Sequence, residues 1–490
     1  MKVLRRNLFL ILIILNHYAY SQGRRNVWQI GYWQGGGTVF QMDFTGGSMT
    51  LIPQPGSTQI NMFELNASIC DVGGNMLFST NGDFIADASG DTMMNGSGLI
   101  PGPFRDDYYE FGLPNLQGAI AIPFSTDSNK YFLFQMAVDY TTRNGDSLLF
   151  HVIDMSLNSG LGAVTLKNQF IIAGQFMQGE ISAVKHGNGR DWWLFFHGQD
   201  NDSFYSYLIA NDSLIGPFIQ NIGIIKHDVG QAIFSSNGLK FASYDSYNDL
   251  ELFDFDRCTG LLSNHIHISM PHLYVGAGCC FSPNSNLLYI SDRQNLYQYN
   301  LQATNISASK DTVAVWDGFA DPFANAFALS QLGSDGKIYI ASFGGAQHMH
   351  VINHPDSLGI ACDVQQHSIV LPCYNEASVP NLPFYELGAM GGTSCDSLPT
   401  NISSNTIHFT RYTLFPNPVR DILYIQNFSK EPLKSLAITD LLGKTIQSDF
   451  SILKNGEYIE VNTASLQQGL YILQMETDKG MWIQKFFKVQ

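Results

Sequence analysis

The sequence predicts an all-β protein in which a β-propeller, with seven as the expected number of blades, precedes a small immunoglobulin-like β-sandwich. Three observations support this fold class. No stretch between residues 22 and 395 has the periodicity of an amphipathic helix. In the same region, β-rich segments recur at intervals of roughly 50 residues, which is typical of a propeller. Segment 412–490 instead contains short alternating strands separated by turns, as in a small sandwich.

The composition limits the classes of function. The chain has 490 residues, of which 45% are hydrophobic and 13% aromatic, so it can bury a core and is not intrinsically disordered. Its formal net charge is −16, which argues against nucleic-acid binding because that function needs a basic surface. No apolar stretch reaches the ~18 residues of a membrane-spanning helix, so no transmembrane segment is predicted.

The N-terminus has the pattern of a secretory signal peptide, which we assign to residues 1–21. A basic start is followed by an apolar run over 8–15 and by the small-x-small site Ala19-Tyr20-Ser21. An apolar run of this length is too short to cross a bilayer as a helix. We therefore expect cleavage after Ser21 and export of a protein that begins at Gln22.

The predicted propeller occupies residues 22–395. Six repeat cores each place an aromatic-rich strand after a polar turn, at 75–79, 130–135, 191–196, 239–244, 286–291 and 336–342. Two N-terminal strands, 27–33 and 38–44, have no preceding partner, and segment 367–387 follows the last full repeat. We expect them to pair in a composite seventh blade, because such closure removes exposed strand edges. Six or eight blades, or an array of two-sheet sandwiches, are the alternatives.

The C-terminal segment 412–490 carries four motifs in a fixed order. These are Phe415-Pro416-Asn417-Pro418, Leu442-Gly443-Lys444, Gly469-Leu470-Tyr471 and Lys485-Phe486-Phe487-Lys488. Together they resemble the type A C-terminal sorting domain of the Bacteroidetes type IX secretion system. The resemblance implies recognition by the type IX translocon, removal of the domain by a surface sortase, and release or attachment to lipopolysaccharide. Residues 396–411 then form a linker, and the protein is secreted or displayed on the outer face of the outer membrane.

The central region also resembles a family of uncharacterised secreted Bacteroidetes proteins with propeller-like repeats. The matching segments are 117–123, 151–155, 254–263 and 380–388. This resemblance implies a fold and a location, but no activity.

Seven cysteines are compatible with disulfides in an exported protein. We expect one bridge between Cys362 and Cys373, and a second between Cys258 and a member of the pair Cys279-Cys280, with Cys280 the preferred partner. An odd number leaves at least one thiol free. Alternating histidines on strands lack any recognised metal motif, so no metal site and no cofactor are predicted.

Aromatic residues suggest a ligand-binding surface, since rings stack on sugars and on peptide loops. The candidates are Trp28, Trp33, Trp192, Trp193 and His197, with a further aromatic pair, Tyr108-Tyr109, in an acidic loop. The first functional hypothesis is a surface module that binds glycan or protein, as in adhesion.

Two alternatives remain beside the binding hypothesis. One is an extracellular polysaccharide hydrolase or lyase, and the other is a structural component of the surface or gliding machinery. A glycoside hydrolase needs two facing carboxylates, for which Asp139, Glu180, Asp200 and Glu376 are available, but nothing in the sequence pairs them. No catalytic residue is therefore assigned. Two carboxylates at the mouth of the channel would favour the enzyme, and a channel filled with apolar residues would oppose it.

Overall fold

The protein is described here by a computed structural model. It describes residues 23–32, 39–55, 60–227, 230–245, 247, 249–271, 278–393, 395, 412–415, 419–427, 433–439, 444–447, 451–452, 458–477 and 480–488. Its contacts divide the chain into two compact units, Met1–Leu398 and Pro399–Gln490. The predicted signal peptide, 1–21, and the predicted linker, 396–411, lie outside the described residues.

The first unit is built from antiparallel sheets of consecutive strands. Among the described residues there are seven sheets, two with three strands and five with four. Sheet 1 contains β1 (Val27–Ile30), β2 (Phe40–Asp43) and β3 (Thr50–Pro53), and sheet 2 contains β4 (Ala67–Cys70), β5 (Met76–Thr80) and β6 (Ile85–Asp87). The one α-helix among the described residues, α1 (Pro103–Tyr108), lies between sheets 2 and 3.

Sheets 3 to 7 each have four strands. Sheet 3 contains β7 (Ala119–Pro123), β8 (Lys130–Val138), β9 (Gly145–Asp154) and β10 (Ala163–Phe176), and sheet 4 contains β11 (Ser182–Lys185), β12 (Trp192–His197), β13 (Asn201–Ala210) and β14 (Ser213–Lys226). Sheet 5 contains β15 (Gly230–Phe234), β16 (Lys240–Asp245), β17 (Asp249–Asp256) and β18 (Leu261–Ile268). Sheet 6 contains β19 (Gly278–Phe281), β20 (Leu287–Ser291), β21 (Asn295–Asn300) and β22 (Asp311–Val315), and sheet 7 contains β23 (Ala326–Leu332), β24 (Ile338–Phe343), β25 (Ala346–Ile352) and β26 (Val364–Asn375).

This arrangement confirms the all-β, propeller-like prediction. Each of the six predicted repeat cores overlaps the second strand of a sheet: β5, β8, β12, β16, β20 and β24. The first strands are buried throughout in β4, β15, β19 and β23, whereas the outermost strands β14 and β22 are largely exposed. First strands of successive sheets also contact one another: β15 contacts β19, and β19 contacts β23. First strands therefore surround a common axis, as in a propeller; the seven-blade count stays a prediction.

Among the described residues, the predicted composite blade does not form. Sheet 1 consists there of β1, β2 and β3, and β26 is the fourth strand of sheet 7. The two ends of the ring meet at an isolated bridge between Tyr32 and Tyr374, and through Trp28, whose ring lies 5.8 Å from that of Tyr339. Segment 377–387, which was expected to supply strands to the blade, instead runs along the axis. We call it the axial segment.

The axial segment is buried and joins several sheets at their first strands. The Asn381 side-chain nitrogen donates to the carbonyl oxygens of Ala119 in sheet 3, at 3.0 Å, and of Ile181 next to sheet 4, at 2.8 Å. The hydroxyl group of Tyr385 donates to the carbonyl oxygen of Ala121, and the Phe384 ring packs under the guanidinium of Arg25 at 4.4 Å. The channel of the ring is therefore filled by the chain itself.

The disulfide predictions are wrong in their pairing. Among the described residues, the one disulfide joins Cys258 to Cys395, which anchors the chain shortly after the axial segment. Cys362 and Cys373 are buried and free. They lie before and near the end of the extended strand β26, so at ~3.3 Å per residue they are separated by roughly 35 Å, far beyond disulfide reach. Cys280 is likewise buried and free.

The second unit contains two four-stranded sheets. One pairs β27 (Tyr412–Phe415), β28 (Ile422–Asn427), β32 (Tyr458–Asn462) and β31 (Ser451–Ile452), and the other pairs β30 (Thr445–Gln447), β29 (Leu433–Thr439), β33 (Gly469–Thr477) and β34 (Gly480–Lys488). Buried side chains such as Leu423, Ile438 and Leu473 form a common core. The predicted immunoglobulin-like class of this unit stays a prediction.

The predicted sorting residues fall partly in described segments. Gly469 begins β33, Lys485 lies in β34 opposite Ile472, and Lys444 is exposed. The hydroxyl of Tyr471 donates to the carbonyl oxygen of Gln467, and its ring stacks on that of Phe486. Pro416, Asn417, Pro418 and Gly443 lie outside the described residues. Within the described part of the chain, no helix has the length and hydropathy needed to cross a membrane.

Candidate functional site

The predicted ligand-binding residues lie in the core, which corrects that prediction. Trp28, Trp192, Trp193 and His197 have at most 4% of their surface exposed. The reason is that they stand on β1 and β12, strands that are buried on both faces. A ring stacks on a ligand only when one of its faces is open to solvent, so these side chains stabilise the blades instead. Trp33 lies outside the described residues.

Two of the four carboxylates considered for hydrolysis are turn residues. The backbone nitrogen of Thr142 donates to Asp139 at 2.7 Å, and this hydrogen bond lowers the pKa of the Asp139 carboxyl. Asp200 is exposed and lies 2.6 Å from the Nδ1 atom of His227. Both carboxylates thus fix loops at the surface.

Glu180 belongs to a buried charge network between sheets 4 and 5. The ammonium group of Lys226 lies 3.7 Å from Glu180, 3.9 Å from Asp245, and donates to Ser243. These residues and Glu251 are at most 3% exposed. Burial raises the pKa of Glu180 to about 7, and although burial opposes the charge of Lys226, the three carboxylates raise its pKa. The network joins two sheets and offers no face to a substrate.

Glu376 lies where the first and last sheets meet, beside the start of the axial segment. Its Oε1 atom accepts a hydrogen bond from the backbone nitrogen of Gly344 at 2.9 Å. A Cβ atom on Gly345, whose φ is +75°, would collide with the Tyr32 hydroxyl and lie 3.4 Å from the Oε2 atom of Glu376. Glycine at this position therefore lets both groups approach the same point of the backbone.

Glu64 completes this group, and we call Tyr32, Glu64 and Glu376 the mouth cluster. Burial, together with the nearby Glu376, raises the pKa of Glu64 to about 8. Burial and the same carboxylate raise the pKa of Tyr32 to about 12, and burial also raises that of Glu376. A carboxyl group that is protonated at neutral pH, beside a second carboxyl group, has the properties of a general acid.

Sequence reasoning missed Glu64, although a signal was present. Glu64 lies just before the first strand of sheet 2, Gln117 just before that of sheet 3, and Glu180 just before that of sheet 4. A polar residue therefore precedes the first strand in each of these three repeats.

The channel itself is not an open passage in the described part of the chain. A small cavity remains between the axial segment and sheets 3 to 5. Its lining is mainly apolar and includes Ile120, Ala183, Ile233, Leu382 and Phe384. A channel filled with apolar residues opposes an enzyme that acts inside it, and this channel is filled in that way. The mouth cluster lies beside the channel.

A group of aromatic rings surrounds Arg143, on α1 and on the loop that follows β8. The guanidinium carbon of Arg143 lies 5.2, 5.8 and 5.0 Å from the ring centroids of Phe104, Tyr108 and Tyr140. Phe104 is buried, whereas Tyr109 and Tyr140 are 51% and 44% exposed. We call these five residues the aromatic platform.

The histidines that alternate along strands have protein partners. The Nε2 atom of His265 lies 2.9 Å from Glu251, and that of His267 lies 2.8 Å from Asp249. Burial lowers the pKa of His350 to about 3, so that its ring is neutral. Over the described ranges, no three His, Cys, Asp or Glu side chains are arranged to hold a metal ion.

Solved structures with a similar arrangement of strands were found at low sequence identity. A putative 6-phosphogluconolactonase from Bacteroides uniformis is 12% identical, with a TM-score of 0.45, over 71% of this chain and 97% of that chain. The Dos1 propeller is 12% identical, with a TM-score of 0.35, over 63% and 74%. PorZ of Porphyromonas gingivalis, a surface component of the type IX secretion system, is 10% identical, with a TM-score of 0.31, over 93% and 73%. No curated protein matches the chain.

The C-terminal unit has a specific family match. Residues 413–489 match the family described as the secretion system C-terminal sorting domain. The matched segment coincides with the unit that carries the four motifs noted in the sequence. The chain is therefore a cargo protein of the type IX secretion system, with a propeller-like domain exported to the cell surface or the medium by its C-terminal sorting domain.

Proposed function

We propose that the propeller-like domain is a binding module that attaches to an extracellular glycan through its exposed loops. The observation that carries this proposal is the axial segment, which fills the channel with the chain's own residues and leaves the loop surfaces for a ligand. The aromatic platform supplies exposed rings of the kind that sugars stack on. Export by the type IX system places such a module in contact with extracellular glycans.

A glycan array with the purified full chain tests the proposal, together with an assay of reducing-sugar release from the same polysaccharides. The expected result is retention on one class of glycan without product. If the chain binds no glycan but captures a stable protein partner from the cell surface, the structural role in surface or gliding machinery takes its place.

A second candidate function is hydrolysis of a polysaccharide, and the mouth cluster favours it. Glu64 has the raised pKa of a general acid, and Glu376 lies near enough to influence it. Release of reducing sugar that is abolished in Glu376→Gln and in Glu64→Gln, but kept in Asp200→Asn, would establish this activity. Asp200 is the matched control because its carboxylate is exposed and pairs with His227 at the surface.

A further inference from the structure

The aromatic platform is held in one arrangement before any ligand arrives. The side chain of Asp139 accepts hydrogen bonds from the backbone nitrogens of Thr141 and Thr142, which fixes the loop that carries Tyr140 and Arg143. A site that is ordered in advance does not lose further conformational entropy when it binds.

The second loop of the platform is fixed in a similar way. Arg105 of α1 is bound to Asp83, with its Nε atom 2.5 Å from the carboxylate. The rings of Phe104 and Tyr108 pack together at 5.4 Å, and Phe104 is buried. Arg143 joins the two parts of the platform, because its guanidinium carbon lies 5.0 Å from the ring of Tyr140 and 5.2 and 5.8 Å from the rings of Phe104 and Tyr108. Tyr109 directly follows Tyr108 at the end of α1.

The surroundings of the rings select the chemical class of the ligand. Asp106, Asp107 and Glu110 are exposed beside Tyr109 and Tyr140. The guanidinium of Arg143 already packs among three rings, and the chain as a whole has a net charge of −16. An anionic polysaccharide would be repelled by this surface. A neutral sugar would instead place its C–H groups on the electron-rich ring faces and donate its hydroxyl hydrogens to the carboxylates.

We propose that Tyr109 and Tyr140, with the carboxylates of Asp107 and Glu110, form a binding site for a neutral sugar unit of an extracellular glycan. This inference rests on the proposed function and names its site and its ligand class. It requires that the exposed rings contribute to binding, whereas the buried tryptophans of β12 do not touch the ligand.

The test uses the full chain and its variants Tyr109→Ala and Tyr140→Ala on a panel of soluble glucans, mannans and xylans, with alginate and chondroitin sulfate as anionic probes. We expect each substitution to weaken retention on a neutral glycan by roughly tenfold. Tyr140→Phe keeps the ring and should retain most of the binding. Phe218→Ala is the matched control, because Phe218 is 47% exposed on β14, away from both loops, and it should leave binding unchanged.

The outcomes separate this inference from the proposed function. Glycan binding that survives both alanine variants overturns the site but leaves the binding module intact. Retention on alginate or chondroitin sulfate alone overturns the ligand class. Absence of binding to every glycan by the wild-type chain overturns the proposed function itself. A thermal melt of each variant shows that a loss of binding does not come from unfolding.

Discussion

Replacing Asn381 by leucine tests the role of the axial segment most directly. The side chain of Asn381 donates to the carbonyl oxygens of Ala119 and Ile181, and its Oδ1 atom accepts from Gln117 at 3.4 Å. Leucine has nearly the same size as asparagine but neither donates nor accepts hydrogen bonds. The substitution Asn381→Leu therefore removes three buried hydrogen bonds while it keeps the channel filled.

The magnitude follows from these three bonds. At about 1 kcal/mol for each buried hydrogen bond, the free energy of unfolding should fall by about 3 kcal/mol. With an unfolding entropy of about 2.1 cal/mol/K per residue over roughly 370 residues, this loss lowers the melting temperature by about 4 °C.

The assay is scanning calorimetry of the full chain under oxidising conditions, following the transition of the larger unit. The matched control is Asn221→Leu, because Asn221 is exposed on β14 and donates only to Asp202 and Ser203 at the surface. We expect the control to melt within about 1 °C of the wild-type chain, since surface substitutions change stability by only ~0.5 kcal/mol. If Asn381→Leu melts no lower than the control, the axial segment does not hold the ring together and the reasoning is refuted.

Three further predictions concern the Cys258–Cys395 disulfide, the mouth cluster and the buried Trp192. Replacing Cys258 and Cys395 by serine removes a disulfide that closes a loop with a sequence separation of 137. The free energy of unfolding measured in urea should fall by about 5 kcal/mol. Added dithiothreitol should lower the stability of the wild-type chain and leave that of the serine variant unchanged. Folding raises the pKa of Glu64 from 4.5 to about 8, so the folded state binds the Glu64 proton more tightly than the unfolded state does. Relative to Glu64→Gln, the wild-type chain should therefore lose stability from pH 5 to pH 8, by at most about 1.4 kcal/mol per pH unit. Parallel profiles of stability against pH for the two proteins would contradict this. Trp192→Ala should cost about 3–5 kcal/mol of stability, and if it instead weakens glycan retention without lowering the melting temperature, burial is not its role.

The sequence predicted the repeating part of the fold well, because that part depends on local patterns. An aromatic-rich segment after a polar turn marks the second strand of a sheet, and all six such segments were found. The site was predicted less well. Glu376 was named as a candidate, but Glu64, its neighbour in space, was not, since 312 positions separate them along the chain.

The aromatic residues also show that local sequence does not reveal contacts between distant segments. A tryptophan in a strand has the same local sequence signature whether its ring faces a ligand or the next blade. Trp192 packs 5.7 Å from the ring of Tyr385, a residue of the axial segment. Its burial thus depends on a contact that the local sequence around Trp192 does not contain.

The sequence by itself determined the C-terminal sorting domain, the all-β character and the positions of six repeats, because strand alternation, turn residues and sorting motifs are all contained within a few neighbouring residues. Only the tertiary structure decided the course of the axial segment, the disulfide partner of Cys258 and the residues that lie near Glu376. The physical reason is that these depend on closure of the ring, which brings together groups more than a hundred residues apart, such as Cys258 with Cys395 and Ala119 with Asn381. No periodicity in the chain records contacts of that kind.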